Sequence, residues 1–295
     1  MRQHSKPHQP SLFDTLTPPP PPDRPSHNPL LLIGTSAFNA NGWPGTFYPA
    51  GMKSTQYLTY YASQFQTVEI DSTYYGTPAP STVENWYRRT PPDFLFAAKI
   101  PQIVTHEKAL LNCEPEFDEF LSTISLLKEK LGPLLFQFPQ FHKYEFNGPG
   151  EFLLRLRSFL QRATQRTNTR FAVEIRNQPW LTSQLTGLLA EFNVALALTD
   201  TSFLPRPWEY HEKINLLTAD FTYVRWLGDR KAIELLTTTW DKLILDRRTD
   251  LTQWAQLFRQ FLAQHIKVYT YANNHYAGNG PQTITLFRQL LAEST

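Results

Sequence analysis

A single (β/α)8 barrel is the fold class that this 295-residue sequence predicts, and three observations predict it. Short apolar, β-prone runs alternate with longer stretches of helical spacing from residue 30 to the end, a rhythm that requires crossover connections and a parallel sheet. There are eight such runs in about 265 residues, the size of a closed barrel. Every run also ends in polar residues, where a barrel carries its chemistry. A doubly wound open sheet is the alternative, but no GxGxxG or Walker sequence follows the first run.

In chain order the strands are expected at 30–34 (LLLIG), 67–71 (TVEID), 94–99 (FLFAAK), 134–137 (LLFQ), 170–176 (RFAVEIR), 194–199 (VALALT), 221–226 (FTYVRW) and 267–271 (KVYTY). Each is rich in aliphatic, β-branched or aromatic residues. Helical spacing between them predicts helices over 54–65, 81–89, 115–130, 150–166, 181–192, a long segment ending near 264, and 281–291. The connection after the sixth strand, around Pro205 and Pro207, is proline-interrupted and reads as irregular.

Residues 1–29 differ from this body. They hold nine of the 24 prolines, including Pro18 to Pro22, and no glycine. A proline run lacks backbone donors and favours an extended conformation, so residues 1–29 are expected to be a disordered, proline-rich leader and 30–295 one barrel domain.

Lys and Arg total 28 against 26 Asp and Glu, a net charge of +2, which lacks the basic excess of a dedicated nucleic-acid binder. Cys113 is the single cysteine, which excludes an intramolecular disulfide and a cysteine-based zinc site. No apolar run is long enough to span a bilayer, so no membrane partner and a cytoplasmic location are expected. No organic-cofactor motif occurs, and without HxH or HExxH spacing no metal is expected.

The strand ends define the candidate site. They carry Ser36, Glu69 and Asp71, Lys99, Gln137, Glu174 and Arg176, Asp200, Arg225, and Asn273 with Asn274. Side chains two apart share a strand face, so Glu69 joins Asp71, Glu174 joins Arg176, and Arg225 joins Tyr223. The mixed charges suggest a mutually bonded network facing the barrel mouth. Trp43, Tyr74 and Trp180 add flat faces suited to sugars or bases, and His106 adds a group that titrates near neutrality. Gly278, Gly280 and Pro281 near the last helix start raise the expectation of a phosphate held by free backbone N–H groups.

Taken together, these residues resemble the YecE-like family, also called domain of unknown function 72. The matching segments are Ile33-Gly34-Thr35-Ser36, Trp43-Pro44-Gly45-Thr46-Phe47-Tyr48-Pro49, Thr67-Val68-Glu69-Ile70-Asp71-Ser72-Thr73-Tyr74-Tyr75, Leu131-Gly132-Pro133-Leu134-Leu135-Phe136-Gln137-Phe138-Pro139, Ala172-Val173-Glu174-Ile175-Arg176 and Tyr223-Val224-Arg225. The resemblance covers about residues 30–291 and implies a TIM-type barrel without supplying a reaction.

The functional expectation is acid–base chemistry, hydrolysis or isomerisation, on a sugar-, phosphosugar- or nucleotide-like small molecule. Glu69 and Glu174 are the expected acid/base pair, and Lys99 and Arg225 the groups that stabilise developing negative charge. Ser36, Trp43, Asp71, Tyr74, His106, Gln137, Arg176, Trp180, Asp200, Asn273 and Asn274 are the expected ligand-binding residues. Glycosidase chemistry is disfavoured, because Gln137 and Arg225 stand after strands four and seven, where many barrel glycosidases resemble one another in placing carboxylates. Non-catalytic sensing of a phosphorylated metabolite is the alternative, and nucleic-acid processing a more distant one.

Overall fold

A computed structural model of the chain describes residues 28–293. The leader expected over 1–29 therefore lies, apart from Asn28 and Pro29, outside the described residues. Eight strands form: β1 Leu31–Thr35, β2 Thr67–Ile70, β3 Leu95–Lys99, β4 Leu131–Gln137, β5 Phe171–Glu174, β6 Ala195–Thr201, β7 Phe221–Gly228 and β8 Lys267–Ala272. All pairings are parallel, in the order β1-β8-β7-β6-β5-β4-β3-β2. The fold is a nearly closed (β/α)8 barrel.

The seam between β1 and β2 is joined by a side chain. The Tyr61 hydroxyl accepts a hydrogen bond from Thr35 N at 2.7 Å and lies 3.2 Å from the Thr67 carbonyl, to which it donates. It bridges two backbones that a ladder would otherwise connect. The approach is so close that a Cβ on Gly34 would lie 2.0 Å from the Thr67 carbonyl oxygen, so only glycine fits there.

Below the mouth, the interior pairs small residues with large ones. Ala97, Ala172, Ala195 and Ala197 on β3, β5 and β6 leave room for Phe221, Tyr223, Tyr269 and Tyr271 from β7 and β8. This filling makes a packed core that supports the charged layer above it.

Helices α1 Tyr57–Gln64, α2 Pro80–Arg88, α3 Glu114–Ile124, α4 Pro149–Arg166 and α5 Ser183–Glu191 follow the first five strands. The short α6 Pro207–Tyr210 and α7 Arg230–Glu234 precede α8 Arg248–Ala263, and α9 Asn274–Ala277 and α10 Gly280–Glu293 follow β8. Their apolar stripes cover the outside of the barrel: α8 buries Leu251, Trp254, Ala255, Phe258 and Phe261, which recur at helical spacing.

Three boundaries differ from expectation. The helix expected over 115–130 stops at Ile124, and the following turn carries Lys128 at φ 51°. The fourth strand starts at Leu131 and tolerates Pro133 because the β3–β4 register shifts there, which relieves the missing N–H. The long segment ending near 264 is two helices, α7 and α8, separated by irregular chain. Among the described residues, no helix is long and apolar enough to cross a membrane.

Candidate functional site

The deepest polar layer of the mouth is built by β2, β5 and β7, whose alternation turns Glu69, Glu174, Tyr223 and Arg225 into the barrel. Arg225 lies between the two carboxylates. Its Nε and Nη2 donate to Glu69 Oε1 at 3.2 and 2.7 Å, and its Nη1 donates to Glu174 Oε2 at 2.6 Å. Tyr223 closes the other oxygen of Glu69 with a 2.5 Å bond, and Arg176 Nε reaches Glu174 Oε1 at 3.0 Å. Every carboxylate oxygen of the pair is engaged, and both residues are essentially inaccessible, at 0% and 1%.

The environments of these two acids differ. Burial pushes the Glu69 carboxyl above its ordinary range, Asp71 adds to the rise, and Arg225 only partly offsets it. Burial also acts upward on Glu174, but Arg225, Arg176 and Lys99 together pull it down to about 2. Arg225 stays charged, because the attraction of Glu69, Glu174 and Asp71 exceeds its own desolvation.

Above this layer opens a cleft of about 590 Å3. Its floor holds Lys99, Arg176 and Arg225, and Arg230 and Lys231 of α7 stand at one edge. Arg176 spends Nε on Glu174, and among the described residues nothing bonds its two terminal nitrogens. Lys99 Nζ pairs with Asp71 Oδ1 at 3.0 Å and lies 4.2 Å from the centre of the Tyr74 ring. Its pKa is lowered, first by burial and then by Arg225, against the pull of Asp71.

The turn Ile103–Glu107 after β3 presents His106 to the cleft. His106 packs edge-on against Tyr74, and its Nδ1 lies 2.8 Å from Thr105 Oγ1. Burial, then Lys99 and Arg176, lower its pKa to about 4, so the imidazole is neutral at physiological pH. Gln137 donates its amide to Phe138 O at 2.8 Å, leaving its carbonyl oxygen as an acceptor.

A second pocket of about 260 Å3 adjoins the cleft over β1 and β8. Ser36, Trp43, Asn273 and Asn274 line it, and Asp71 and Asn273 belong to both spaces. Asn273 donates to Ser36 Oγ at 2.8 Å and accepts at Oδ1 from the His275 backbone and ring Nδ1. Asn274 acts as a clamp: its Oδ1 accepts from Trp43 Nε1 at 3.2 Å and from Gly280 N at 2.8 Å.

The mouth thus gathers Ser36, Trp43, Asp71, Tyr74, Lys99, His106, Gln137, Arg176, Arg225, Asn273 and Asn274. Glu69 and Glu174 lie beneath it and line neither space. Asp200 points the other way. Asp200 pairs with Trp226, one position past the inward-facing Thr199–Arg225 pair, and its carboxylate accepts from Trp254 Nε1 at 2.9 Å and the Tyr276 hydroxyl at 3.0 Å, in the helical layer. Trp180 also stays outside the mouth, packed among Phe141, Phe146 and Phe152.

The expected phosphate cradle at the last helix start is corrected. The N–H groups of Gly280, Gln282 and Thr283 are taken by Asn274, Asn279 and the Asn279 carbonyl, and Gly278 is packed beneath Lys242 and Ile244. Among the described residues, the N–H groups of Gly280, Gln282 and Thr283 are therefore not available to an anion.

Sequence reasoning missed Thr201 at the end of β6, Ser202 and Phe203 after it, and Asp229 and Lys231 after β7. The signal for the latter pair was the glycine ending β7. Gly228 has φ 68°, and a Cβ there would lie 2.5 Å from the His275 carbonyl oxygen, so the chain turns sharply and drives α7 against α9 at the rim. The loop after β6 carries no comparable mark.

A family model described as "Protein of unknown function DUF72" matches residues 32–295. The UPF0759 protein YecE of Escherichia coli K12 is 37% identical over 82 residues, 28% of this chain and 30% of that protein. The UPF0759 protein YunF of Bacillus subtilis is 31% identical over 116 residues, 37% of this chain and 40% of that protein. The chain spans less than half the length of these curated relatives. A crystal structure of a DUF72 family protein from Thermotoga maritima superposes with a TM-score of 0.67 at 25% identity, covering 88% of this chain and 98% of that one. D-psicose 3-epimerase, determined in the presence of D-fructose, superposes with a TM-score of 0.55 at 9% identity over 89% of this chain and 98% of its own, a likeness of fold alone.

Proposed function

The chain belongs to the DUF72 family, and from that premise we propose that its barrel mouth performs acid–base chemistry, isomerisation in preference to hydrolysis, on a small anionic sugar- or nucleotide-like molecule. One observation carries this reading: the Arg225 guanidinium is fixed between two buried carboxylates and forms, with Lys99 and Arg176, the cationic floor of an open cleft. Donors held in place before a ligand arrives need no reorganisation when negative charge develops.

In this reading Arg176 and Arg225 hold the anion or a developing oxyanion. Lys99, whose lowered pKa brings it nearer neutrality, and the neutral His106 move protons. Asp71, paired with Lys99, is the carboxylate within reach of the ligand. Glu69 and Glu174 are positioning residues that act through Arg225 and Arg176. Hydrolysis between a carboxylate pair needs open space between the two acids, and here Arg225 fills it. The sugar epimerase among the structural neighbours agrees with an isomerase only by analogy of fold.

The test is solvent exchange. Phosphorylated and unphosphorylated ketoses and aldoses are incubated with the protein in D2O, and proton NMR follows loss of the signal next to the carbonyl. Exchange is expected with wild type and should slow by about 100-fold or more in Lys99→Met. The full engagement of both deep carboxylates favours one second reading, recognition without turnover. Tight binding of panel members with no exchange on any of them would establish that reading in place of ours.

A further inference from the structure

The mouth consists of two spaces of different character, joined at Asp71, Tyr75, Asn273 and His275. The larger cleft has a floor of cations, whereas among the described residues no Lys or Arg lines the smaller pocket. Building on the functional reading above, we propose that this is a two-part site for a sugar monophosphate: the cationic cleft takes the phosphate, and the pocket over β1 and β8 takes the neutral, hydroxyl-bearing end.

The hydrogen-bond inventory of the pocket supports this division. Ser36 Oγ accepts from Asn273, so its own O–H remains to be donated. Thr35 cannot substitute, because its Oγ1 donates to Ala37 O at 2.5 Å and also meets Tyr61 Oη at 2.8 Å. Asn273 uses one amide hydrogen on Ser36 and keeps a second. The pocket therefore offers uncharged donors suited to hydroxyl oxygens, together with the acceptor oxygens of Asp71 at its border. A second phosphate in that pocket would find no Lys or Arg among the described residues that line it, and would stand beside the Asp71 carboxylate, whose cation Lys99 lies in the other space. The geometry thus selects monophosphates against bisphosphates.

The same border places the reacting end of the ligand. A molecule with its phosphate over Arg176 and Arg225 and its hydroxyls beside Ser36 must cross Asp71 and its partner Lys99. Those are the groups to which proton transfer was assigned. Tyr75 lines both spaces and is 77% exposed, so its ring forms a removable wall that does not support the core.

Calorimetric titration with inorganic phosphate, ribose 5-phosphate, fructose 6-phosphate and fructose 1,6-bisphosphate tests the division. Both monophosphates should bind about tenfold tighter than inorganic phosphate, and the bisphosphate no tighter than inorganic phosphate. Arg176→Gln should weaken all four. Ser36→Ala and Tyr75→Ala should each bring the ratio of monophosphate to inorganic phosphate affinity towards one; the exposed Tyr75 position keeps this readable if the buried Ser36 variant folds poorly. Equal affinities in wild type, or a ratio that survives Tyr75→Ala and a folded Ser36→Ala, would overturn the two-part site while leaving an anion-binding mouth. No binding of any of the four at any soluble concentration would overturn the anionic reading itself, and the two-part site with it.

Discussion

The β2 wall and the β5 wall of the barrel each turn one buried glutamate towards the same guanidinium, yet the two acids are driven in opposite directions. Glu69 receives Arg225 and the neutral Tyr223, while the Asp71 carboxylate stands nearby. Glu174 receives Arg225 and a second guanidinium from Arg176, with Lys99 adding to the field. Burial penalises both, and the number of cations decides the outcome. Arg225 alone leaves the fully buried Glu69 carboxyl above its ordinary range, whereas Arg225, Arg176 and Lys99 together draw Glu174 well below it. The β5 wall is thus a firm anionic anchor, and the β2 wall accommodates a proton.

Removing the shared partner should have the largest effect. Arg225→Met leaves buried Glu69 without its guanidinium and Glu174 with Arg176 alone, and the expected loss of stability is about 3–5 kcal/mol, read from chemical denaturation. A loss below about 1 kcal/mol would show that the two walls do not depend on Arg225.

The next effect separates the walls by pH. Glu174 has its folded pKa depressed from 4.5 to about 2, so it contributes stability that is present above pH 4.5 and lost as pH falls towards 2. That contribution is on the order of 3 kcal/mol. Glu69 has a raised folded pKa, so its contribution has the opposite sign: present below its unfolded pKa and lost as pH rises through the folded value. Glu174→Gln should therefore flatten the acid limb of the stability curve and cost more at neutral pH. Glu69→Gln should flatten the limb above pH 4.5 and cost less. Equal losses in the two variants would break the contrast.

The smallest effect reaches His106. Glu174 raises the His106 pKa against the stronger depression by burial, Lys99 and Arg176. In Glu174→Gln the His106 midpoint, followed by NMR of the labelled imidazole, should fall below about 4, and in Glu69→Gln it should hold. A drop of equal size in both variants would show that the field in the cleft comes from the whole network and not from the β5 wall.

Much of this was readable in the sequence. Alternation along TVEID, AVEIR and TYVRW set Glu69, Glu174 and Arg225 on faces that point inward, because side-chain direction in a strand has period two. The same rule accounts for Asp200, which its place at a strand end alone assigns to the mouth: Ala197 and Thr199 face inward beside Tyr223 and Arg225, so Asp200 faces outward, towards Trp254 and Tyr276 behind the sheet. Trp180 looked like a ligand platform, but it belongs to an aromatic cluster whose other members lie 28 to 39 residues earlier in the chain. The phosphate cradle failed for a different reason: the helix start had the right composition, but Asn274 and Asn279 satisfy its amides.

The sequence by itself determined the fold class, the eight strands and the charged residues at their ends, because those follow from local periodicity and composition. Tertiary structure alone decided which charges meet. Glu69 and Arg225 are 156 residues apart in sequence and 2.7 Å apart in the barrel, and their roles depend on that contact. A carboxylate's chemistry is set by how many cations and how much water surround it, and both quantities exist only once distant strands have closed around it.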